Sequence, residues 1–140
     1  MTAPAIEQWL HFMSTGDSST LANLLDEHAV FSSPAVFAPQ TGRSVVAKYL
    51  RAAETIFSGT DFRYVGSWYA ENSVVLEFSA EIDGVHLNGV DIITWNVRDQ
   101  ITSFTVMVRP LRGLQLLVRL MGDRLTAAAS GGTSSLDARQ

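Results

Sequence analysis

The chain has 140 residues, of which 46 % are hydrophobic and 17 % charged, and this is enough apolar material for one domain around a single core. It holds no cysteine and three histidines, so disulfides, cysteine nucleophiles and cysteine-based metal sites are excluded, and we expect neither a metal nor a cofactor. The net charge is −4, which is not typical of nucleic-acid binding, although residues 101–140 are locally basic. No apolar run approaches the roughly 18 residues of a membrane span, and no basic leader precedes an apolar stretch, so we expect a cytoplasmic protein that binds neither membrane nor nucleic acid.

Three helices and one short strand are predicted before residue 60. Ile6, Trp9, Leu10 and Met13 recur at the spacing of one helix face, which predicts a helix over 4–15 that ends at Gly16.

Between Gly16 and the third predicted helix, the sequence predicts a short helix, then a strand and then a loop. A short second helix is expected to end near His28, and a strand over 29–33 to stop at Pro34. A loop follows, and a third helix is expected to be capped by Thr41 and ended by Gly59.

The period of the hydrophobic pattern then changes to two, which predicts strands. Four strands are expected: Phe62–Tyr69, Ser73–Ile82, Val85–Val97 and Ile101–Val108. An apolar stripe from Leu111 to Leu125 predicts a last helix, and residues 129–140 are expected to be a disordered tail after a single domain over 1–128. Helices followed by antiparallel strands indicate an α+β fold in which a curved sheet wraps around packed helices and encloses a pocket.

The second and third strands predict where one carboxylate points. Asp83-Gly84 is typical of a two-residue type I′ turn, and this turn pairs Leu76 with Asp91 and Phe78 with Gly89. Asp91 therefore shares its face with apolar side chains, where desolvation raises the pKa of a carboxyl group. Such a group serves as a general acid, a general base or a neutral hydrogen-bond donor, or it is structural and bonds to a backbone amide, a Trp indole or a Tyr hydroxyl.

The other face of the same strands is polar. The register pairs Glu81 with His86 and Ser79 with Asn88, and we interpret these residues as a solvated outer face. The turn at residues 98–99 leaves the register of the last strand ambiguous by one residue. A two-residue loop is preferred because it places Phe104, Val106 and Val108 on the face of Asp91 and leaves Arg109 outside beside Asn88.

Five segments together resemble one known family: "WLHFMSTGD", "LLDEHAVFSSP", "TGRSVVAKYL", "GVDIITWNV" and "ITSFTVMVRP". In their order and spacing they are similar to the nuclear transport factor 2-like superfamily, and within it to small bacterial SnoaL-like proteins. The resemblance covers about residues 4–125. It implies a cone-shaped, cystatin-like barrel of a strongly curved antiparallel sheet around N-terminal helices, here with an extra C-terminal helix. It also implies a deep apolar pocket and a homodimer formed through the sheet.

The superfamily includes ketosteroid isomerases, epoxide hydrolases and polyketide cyclases, so the resemblance must be followed residue by residue. The proton-shuttling Asp of the isomerases matches Ser33, their oxyanion Tyr matches Trp9, and their second oxyanion donor matches Asp91. The last Asp of the epoxide hydrolases matches Val106. The resemblance thus keeps one carboxylate, as in the polyketide cyclases.

Two functions stay open from the sequence. The first is an enzyme for a small apolar or cyclic molecule, with Asp91 as acid or base, as in isomerases or cyclases, and Trp9 or Tyr49 as polar helper. The second is a non-catalytic ligand-binding or dimeric scaffold protein. In both, the predicted ligand-binding residues are Trp9, Phe31, Tyr49, Leu76, Phe78, Ile93, Trp95, Phe104 and Val106.

Overall fold

A computed structural model describes residues 3–137 of the protein, with side chains described through residue 129. It confirms the α+β class, with four helices and six strands. The helices are α1 (Pro4–Thr15), α2 (Ser18–Leu24), α3 (Arg43–Phe57) and α4 (Leu111–Asp137). The strands are β1 (Leu25–Ser32), β2 (Gln40–Thr41), β3 (Arg63–Tyr69), β4 (Ser73–Ile82), β5 (Val85–Trp95) and β6 (Ile101–Arg109).

The predicted first helix is confirmed at both ends. Pro4 opens α1, where its missing N–H would have no intrahelical partner in any case. Gly16 closes it in the left-handed conformation with φ of 74°, and its N–H donates to the Phe12 carbonyl. The tail predicted for residues 129–140 falls almost wholly outside the residues whose side chains are described, and it stays a prediction.

Two local predictions between residues 25 and 42 are wrong. The chain enters β1 at Leu25 rather than after His28, because Leu25 already pairs with Ile101 in the sheet. Thr41 does not cap α3, because it pairs with Val30 as part of β2, a strand that the sequence did not predict.

The six strands form one curved, unclosed sheet in the order β2-β1-β6-β5-β4-β3. All pairings are antiparallel except that of β1 with β6, which is parallel. The chain order permits the parallel pairing, because the helix α3 and four strands separate β1 from β6 and give the chain enough length to return to the same end of the sheet. Within the part of the chain that the structure describes, no helix is long and apolar enough to cross a membrane.

The register around Asp91 is the predicted one on both sides. Leu76 pairs with Asp91 in β4, and Asp91 pairs with Val106 in β6. The turn at residues 83–84 has φ values of 52° and 77°, as a type I′ turn requires.

The turn between β5 and β6 differs from the predicted two-residue loop. The Asn96 N–H donates to the Gln100 carbonyl and Asp99 adopts a φ of 58°, so three residues form the loop. A bulge next to Trp95 then shifts the pairing by one residue, which restores the predicted register for the remainder of β6.

The core consists of two clusters of buried side chains. The first joins α1, α2 and α3 to the sheet around Trp9, Phe31 and Phe104, and the second joins α3 and α4 to the sheet around Phe57 and Phe78. The space between the two clusters is not completely filled, and this incomplete filling creates the site.

Candidate functional site

A cavity of about 230 Å³ lies between the two core clusters, with walls from α1, β1, α3, the inner face of the sheet and α4. Its lining is almost wholly apolar. Six of the nine residues predicted to bind a ligand line it: Trp9, Phe31, Tyr49, Phe78, Phe104 and Val106. A cavity is therefore present on the predicted face, and its role in binding a ligand stays a prediction.

The other three predicted ligand-binding residues do not line the cavity. Leu76, Ile93 and Trp95 are 3 %, 0 % and 6 % exposed and pack into the first core cluster. They share the inner face of the sheet with Asp91, but the helices above them cover that part of the sheet completely. The face of the sheet on which a residue lies does not by itself show whether that residue lines the cavity or lies in the closed core.

Asp91 lies in the cavity wall, where β5 runs through the middle of the sheet. It is 6 % exposed and is the one buried charged residue among those the structure describes. Burial among apolar groups raises its pKa to about 7, although a hydrogen bond from Tyr64 works in the opposite direction. Near neutral pH the carboxyl group therefore exists in both protonation states.

The partner of Asp91 is a residue that sequence reasoning did not select. The Tyr64 hydroxyl, from β3, donates to Oδ2 of Asp91 at 2.5 Å, and Nε1 of Trp9 lies 2.9 Å from the Tyr64 oxygen. Burial and the adjacent Asp91 raise the pKa of Tyr64 well above its ordinary value, so it keeps its proton. The sequence indicates a tyrosine hydroxyl as one structural partner of Asp91 without identifying which tyrosine.

The direction of these two hydrogen bonds is fixed by chemistry. An indole N–H only donates, so Trp9 donates to the Tyr64 oxygen and the Tyr64 proton must go to Asp91. Because the single N–H of Trp9 is used in this way, Trp9 is not free to assist a ligand as expected. Tyr49 lines the cavity, and its hydroxyl has no hydrogen-bond partner among the described residues.

The position that matches the isomerase base holds a hydroxyl group. Ser33 lines the cavity, and its Oγ accepts hydrogen bonds from the N–H groups of Ala35 and Val36 at 2.9 and 3.3 Å. Ser33 thus holds the loop after β1 in shape, and an uncharged hydroxyl does not replace a carboxylate as a base. Among the described residues, Asp91 contributes the one carboxyl group in the cavity wall.

The outer face of the sheet carries the predicted polar residues. Glu81 and His86 pair across β4 and β5 with 3.6 Å between Oε1 and Nε2, and their side chains are 47 % and 82 % exposed. Asn88 donates to Glu77 at 3.0 Å and accepts from Arg109 at 3.4 Å. The preferred outward placement of Arg109 is therefore confirmed, and these groups lie away from the cavity.

An open, curved α+β sheet with one carboxyl group in an apolar cavity defines a class of small-molecule binding domains rather than one reaction. A family model described as a SnoaL-like domain matches residues 6–104. The chain belongs to this family of the nuclear transport factor 2-like superfamily.

Solved structures agree with this assignment. A steroid delta-isomerase from Pseudomonas aeruginosa is 36 % identical with a TM-score of 0.84, over 90 % of this chain and 92 % of the other. An uncharacterised bacterial protein with a cystatin-like fold from Silicibacter pomeroyi is 29 % identical with a TM-score of 0.76, over 97 % and 89 %. A nuclear transport factor 2-like protein of unknown function from Mesorhizobium loti, at 18 % identity and a TM-score of 0.67 over 76 % and 88 %, shares the fold. None of the proteins with curated annotation matches this chain significantly.

Proposed function

We propose that this protein binds a small, apolar cyclic ketone in its cavity and that Asp91 moves a proton at the carbon next to the carbonyl group. The observation that carries the proposal is a lone carboxyl group in the wall of an apolar cavity, with a pKa raised to about 7. A general base is most effective when its pKa lies near the working pH, because it is then both available and sufficiently basic.

The proposed step uses one carboxylate. The ionised Asp91 takes the α-proton, the C–H electron pair becomes the double bond of an enolate, and the carbonyl oxygen gains the negative charge. Asp91 then returns the proton to the γ-carbon of an unsaturated ketone, which shifts the double bond into conjugation. The hydroxyls of Tyr49 and Ser33 both lie in the cavity wall and donate to no described residue, so either can donate to the charged oxygen.

The size and lining of the cavity support a compact ligand. Its volume of about 230 Å³ is below the ~300–1,000 Å³ usual for small-molecule clefts. An apolar wall with few polar groups favours a ligand that is hydrocarbon except for one or two oxygens. The similarity to the steroid delta-isomerase, at 36 % identity, supports double-bond isomerisation as the reaction type.

The test is the conversion of cyclohex-3-enone to its conjugated isomer, followed by ultraviolet absorbance, with a β,γ-unsaturated 3-ketosteroid as a second substrate. We expect conversion of the small ketone, and we expect Asp91→Asn to reduce the rate by about 10²–10⁴-fold. Glu81→Gln, which changes an exposed carboxylate on the other face, is the matched control and should keep the full rate. Equal rates for Asp91→Asn and the unaltered protein, or no conversion of either ketone, would remove the enzyme proposal.

A non-catalytic binding protein is the alternative, and Ser33 at the position of the isomerase base is the observation that favours it. In that case cyclohex-3-enone would shift the ¹³C signal of the Asp91 carboxyl group without being converted. Native mass spectrometry of freshly purified protein would add the mass of a retained molecule. These two measurements separate binding without turnover from turnover.

We further propose a homodimer formed through the outer face of the sheet, in keeping with the family. This face is polar near the turn at residues 83–84, but its other half is apolar. Trp68 and Met107 are 59 % and 55 % exposed there, and Val75, Val90 and Ile92 lie between them in the register. An exposed apolar patch of this kind is typical of a protein interface.

Sedimentation at micromolar concentration tests the dimer. We expect a dimer for the unaltered protein and a monomer for Met107→Lys, because this substitution would bury an ammonium group in an apolar interface. Ser79→Lys, on the polar half of the same face, should leave the dimer intact. A monomeric unaltered protein would contradict the proposal.

A cytoplasmic location likewise stays a prediction.

A further inference from the structure

The Asp91 carboxyl group has two oxygens in different situations. Oδ2 receives the Tyr64 hydroxyl at 2.5 Å, and no described residue donates a hydrogen bond to Oδ1. Tyr64 is not part of the cavity wall, whereas Asp91 is. The tyrosine therefore stands behind the carboxyl group, relative to the cavity.

The tyrosine is itself held in one orientation. Its oxygen accepts from Nε1 of Trp9 at 2.9 Å, and its ring packs edge-to-face on Phe62 with centroids 5.1 Å apart. Since the indole has no acceptor atom, the Tyr64 proton cannot turn towards Trp9. The protonated tyrosine is thus directed at Oδ2 in both charge states of Asp91.

This directed pair of bonds decides where the titrating proton resides. Tyr64 occupies one of the two lone pairs of Oδ2, whereas no described residue donates to either lone pair of Oδ1. The hydrogen bond lowers the basicity of Oδ2, so protonation of Asp91 is favoured at Oδ1.

We infer that Tyr64 is a positioning residue, held by Trp9, which occupies Oδ2 of Asp91 and leaves Oδ1 as the one oxygen that exchanges a proton with the ligand. This inference rests on the proposed function. It also specifies the ligand contact as a single atom, which donates to a carbonyl oxygen when protonated and accepts a proton from carbon or hydroxyl when ionised.

Among the described residues, no further acidic or basic side chain lies near Asp91 whose charge could shift the Asp91 titration when Tyr64 is substituted. On β6 its neighbour is Val106, and on α1 it faces the neutral indole of Trp9. Tyr64 on β3 and Tyr49 on α3 are the titratable side chains around it among the described residues. A change in the Asp91 titration on substitution of Tyr64 therefore reports on this hydrogen bond.

The experiment is a ¹³C NMR titration of the Asp91 carboxyl group without any ligand, in the full chain. Because the Tyr64 hydrogen bond favours the ionised form, Tyr64→Phe should raise the Asp91 pKa by at least about one unit. Trp9→Phe should produce a smaller rise, since the tyrosine is then present but less well held. Tyr69→Phe, the same substitution on the same strand at a position 41 % exposed, is the control and should leave the titration unchanged.

A second measurement needs no substitution and so does not depend on how well the variants fold. With ¹³Cζ-labelled tyrosine, the Tyr64 signal should move with the same midpoint as Asp91, and the Tyr69 signal should not. An Asp91 titration that Tyr64→Phe leaves unchanged, or a Tyr64 signal that stays still as Asp91 titrates, would overturn the inference.

The outcome for Tyr64 is separable from that for the proposed function. Ketone conversion that requires Asp91 while the titration ignores Tyr64 would leave the proposed function in place and reject the positioning role alone. A coupled titration of Asp91 and Tyr64 in a protein that neither binds nor converts a ketone would reject the proposed function and keep the positioning role.

Discussion

The pair Asp91–Tyr64 on the inner face of the sheet and the pair Glu81–His86 on its outer face differ in almost every physical respect. On the inner face Asp91 accepts from Tyr64 at 2.5 Å in an almost wholly apolar wall, where Asp91 is 6 % exposed. On the outer face Glu81 lies 3.6 Å from His86, with both side chains largely in solvent. Both carboxylates come from the same β4–β5 hairpin, where the cross-strand pairs Leu76–Asp91 and Glu81–His86 are five positions apart in one register.

The comparison shows that solvation, rather than pairing, gives a carboxylate its chemistry. Burial raises the pKa of Asp91 to about 7 even though Tyr64 favours the ionised form. Water screens the outer pair, and exposed pairs of this type contribute only about 0–1 kcal/mol to stability. A carboxylate next to a histidine is thus a weaker indication of function here than a carboxylate alone among apolar side chains.

The largest expected effect is the pH dependence of stability caused by Asp91. Its pKa is about 7 in the folded protein and 3.8 in the unfolded chain, so the folded state holds the proton more tightly. The stability that this tighter proton binding contributes is fully present below the unfolded pKa of 3.8 and is lost as the pH rises through the folded pKa of about 7. The loss amounts to about 4 kcal/mol at about 1.4 kcal/mol per unit.

Urea unfolding at pH 4, 5.5, 7 and 8.5 measures this dependence as the difference between the unaltered protein and Asp91→Asn. We expect the advantage of the unaltered protein over the variant to shrink between the two pKa values and then to stay constant. A difference that is independent of pH would show that the inner carboxyl group is solvated like the outer one.

An intermediate effect on the free energy of unfolding is expected from replacing one glycine by alanine on each face of the sheet. Gly89 lies on the inner face, where a Cβ atom would collide with the Met107 carbonyl oxygen and come within 2.6 Å of the Phe78 ring. Gly66 lies on the outer face, where a Cβ atom would come within 2.8 Å of the end of the exposed Trp68 ring. The inner collision involves backbone and buried core, whereas the outer one is relieved by turning a side chain.

We therefore expect Gly89→Ala to lower the free energy of unfolding by about 2–3 kcal/mol, and Gly66→Ala to change it by less than about 1 kcal/mol. Denaturant unfolding of the two variants at one pH gives the comparison directly. Equal losses from the two substitutions would contradict the view that the inner face is the rigid one.

The smallest effect is expected on the outer face itself. Glu81→Gln removes the charge of an exposed pair and should change the free energy of unfolding by about 0.5 kcal/mol or less. The thermal midpoint in low and high salt is the measurement, and salt should abolish what difference there is. A loss comparable to that from Gly89→Ala would mean that the outer pair is buried, for example in an interface.

Much of the site followed from one hairpin. The Asp83-Gly84 turn sets the pairing of β4 with β5, and this alone turns Asp91 inward and Glu81 outward. The register of β6 was predicted correctly by a loop that is one residue too short, because a bulge beside Trp95 compensates for the longer loop. The predicted pairing of β5 with β6 near the site is confirmed, but the predicted loop between these strands is one residue too short.

Tyr64 was not predictable by the same reasoning. Continued from the turn at residues 71–72, an unbroken β3–β4 ladder would pair Tyr64 with Ser79 and turn it outward. The structure has a bulge between Tyr64 and Gly66, so Tyr64 pairs with Phe78 and faces Asp91. A shift of one residue moves a side chain to the opposite face. Gly66, a glycine inside the strand at the bulge, is a residue type that often accompanies a bulge, but it does not by itself fix where the pairing shifts.

The alternation of apolar and polar residues, together with a turn that requires positive φ, determined from the sequence which carboxylate points inward. These signals are local, since they depend on the handedness of the backbone and on the avoidance of water by apolar groups. The tertiary structure alone decided that the helices leave a cavity beside Asp91 but not beside Ile93, and that a bulge brings Tyr64 to its Oδ2 atom. Both depend on how separate elements fill a shared volume, and this filling has no local signature in the chain.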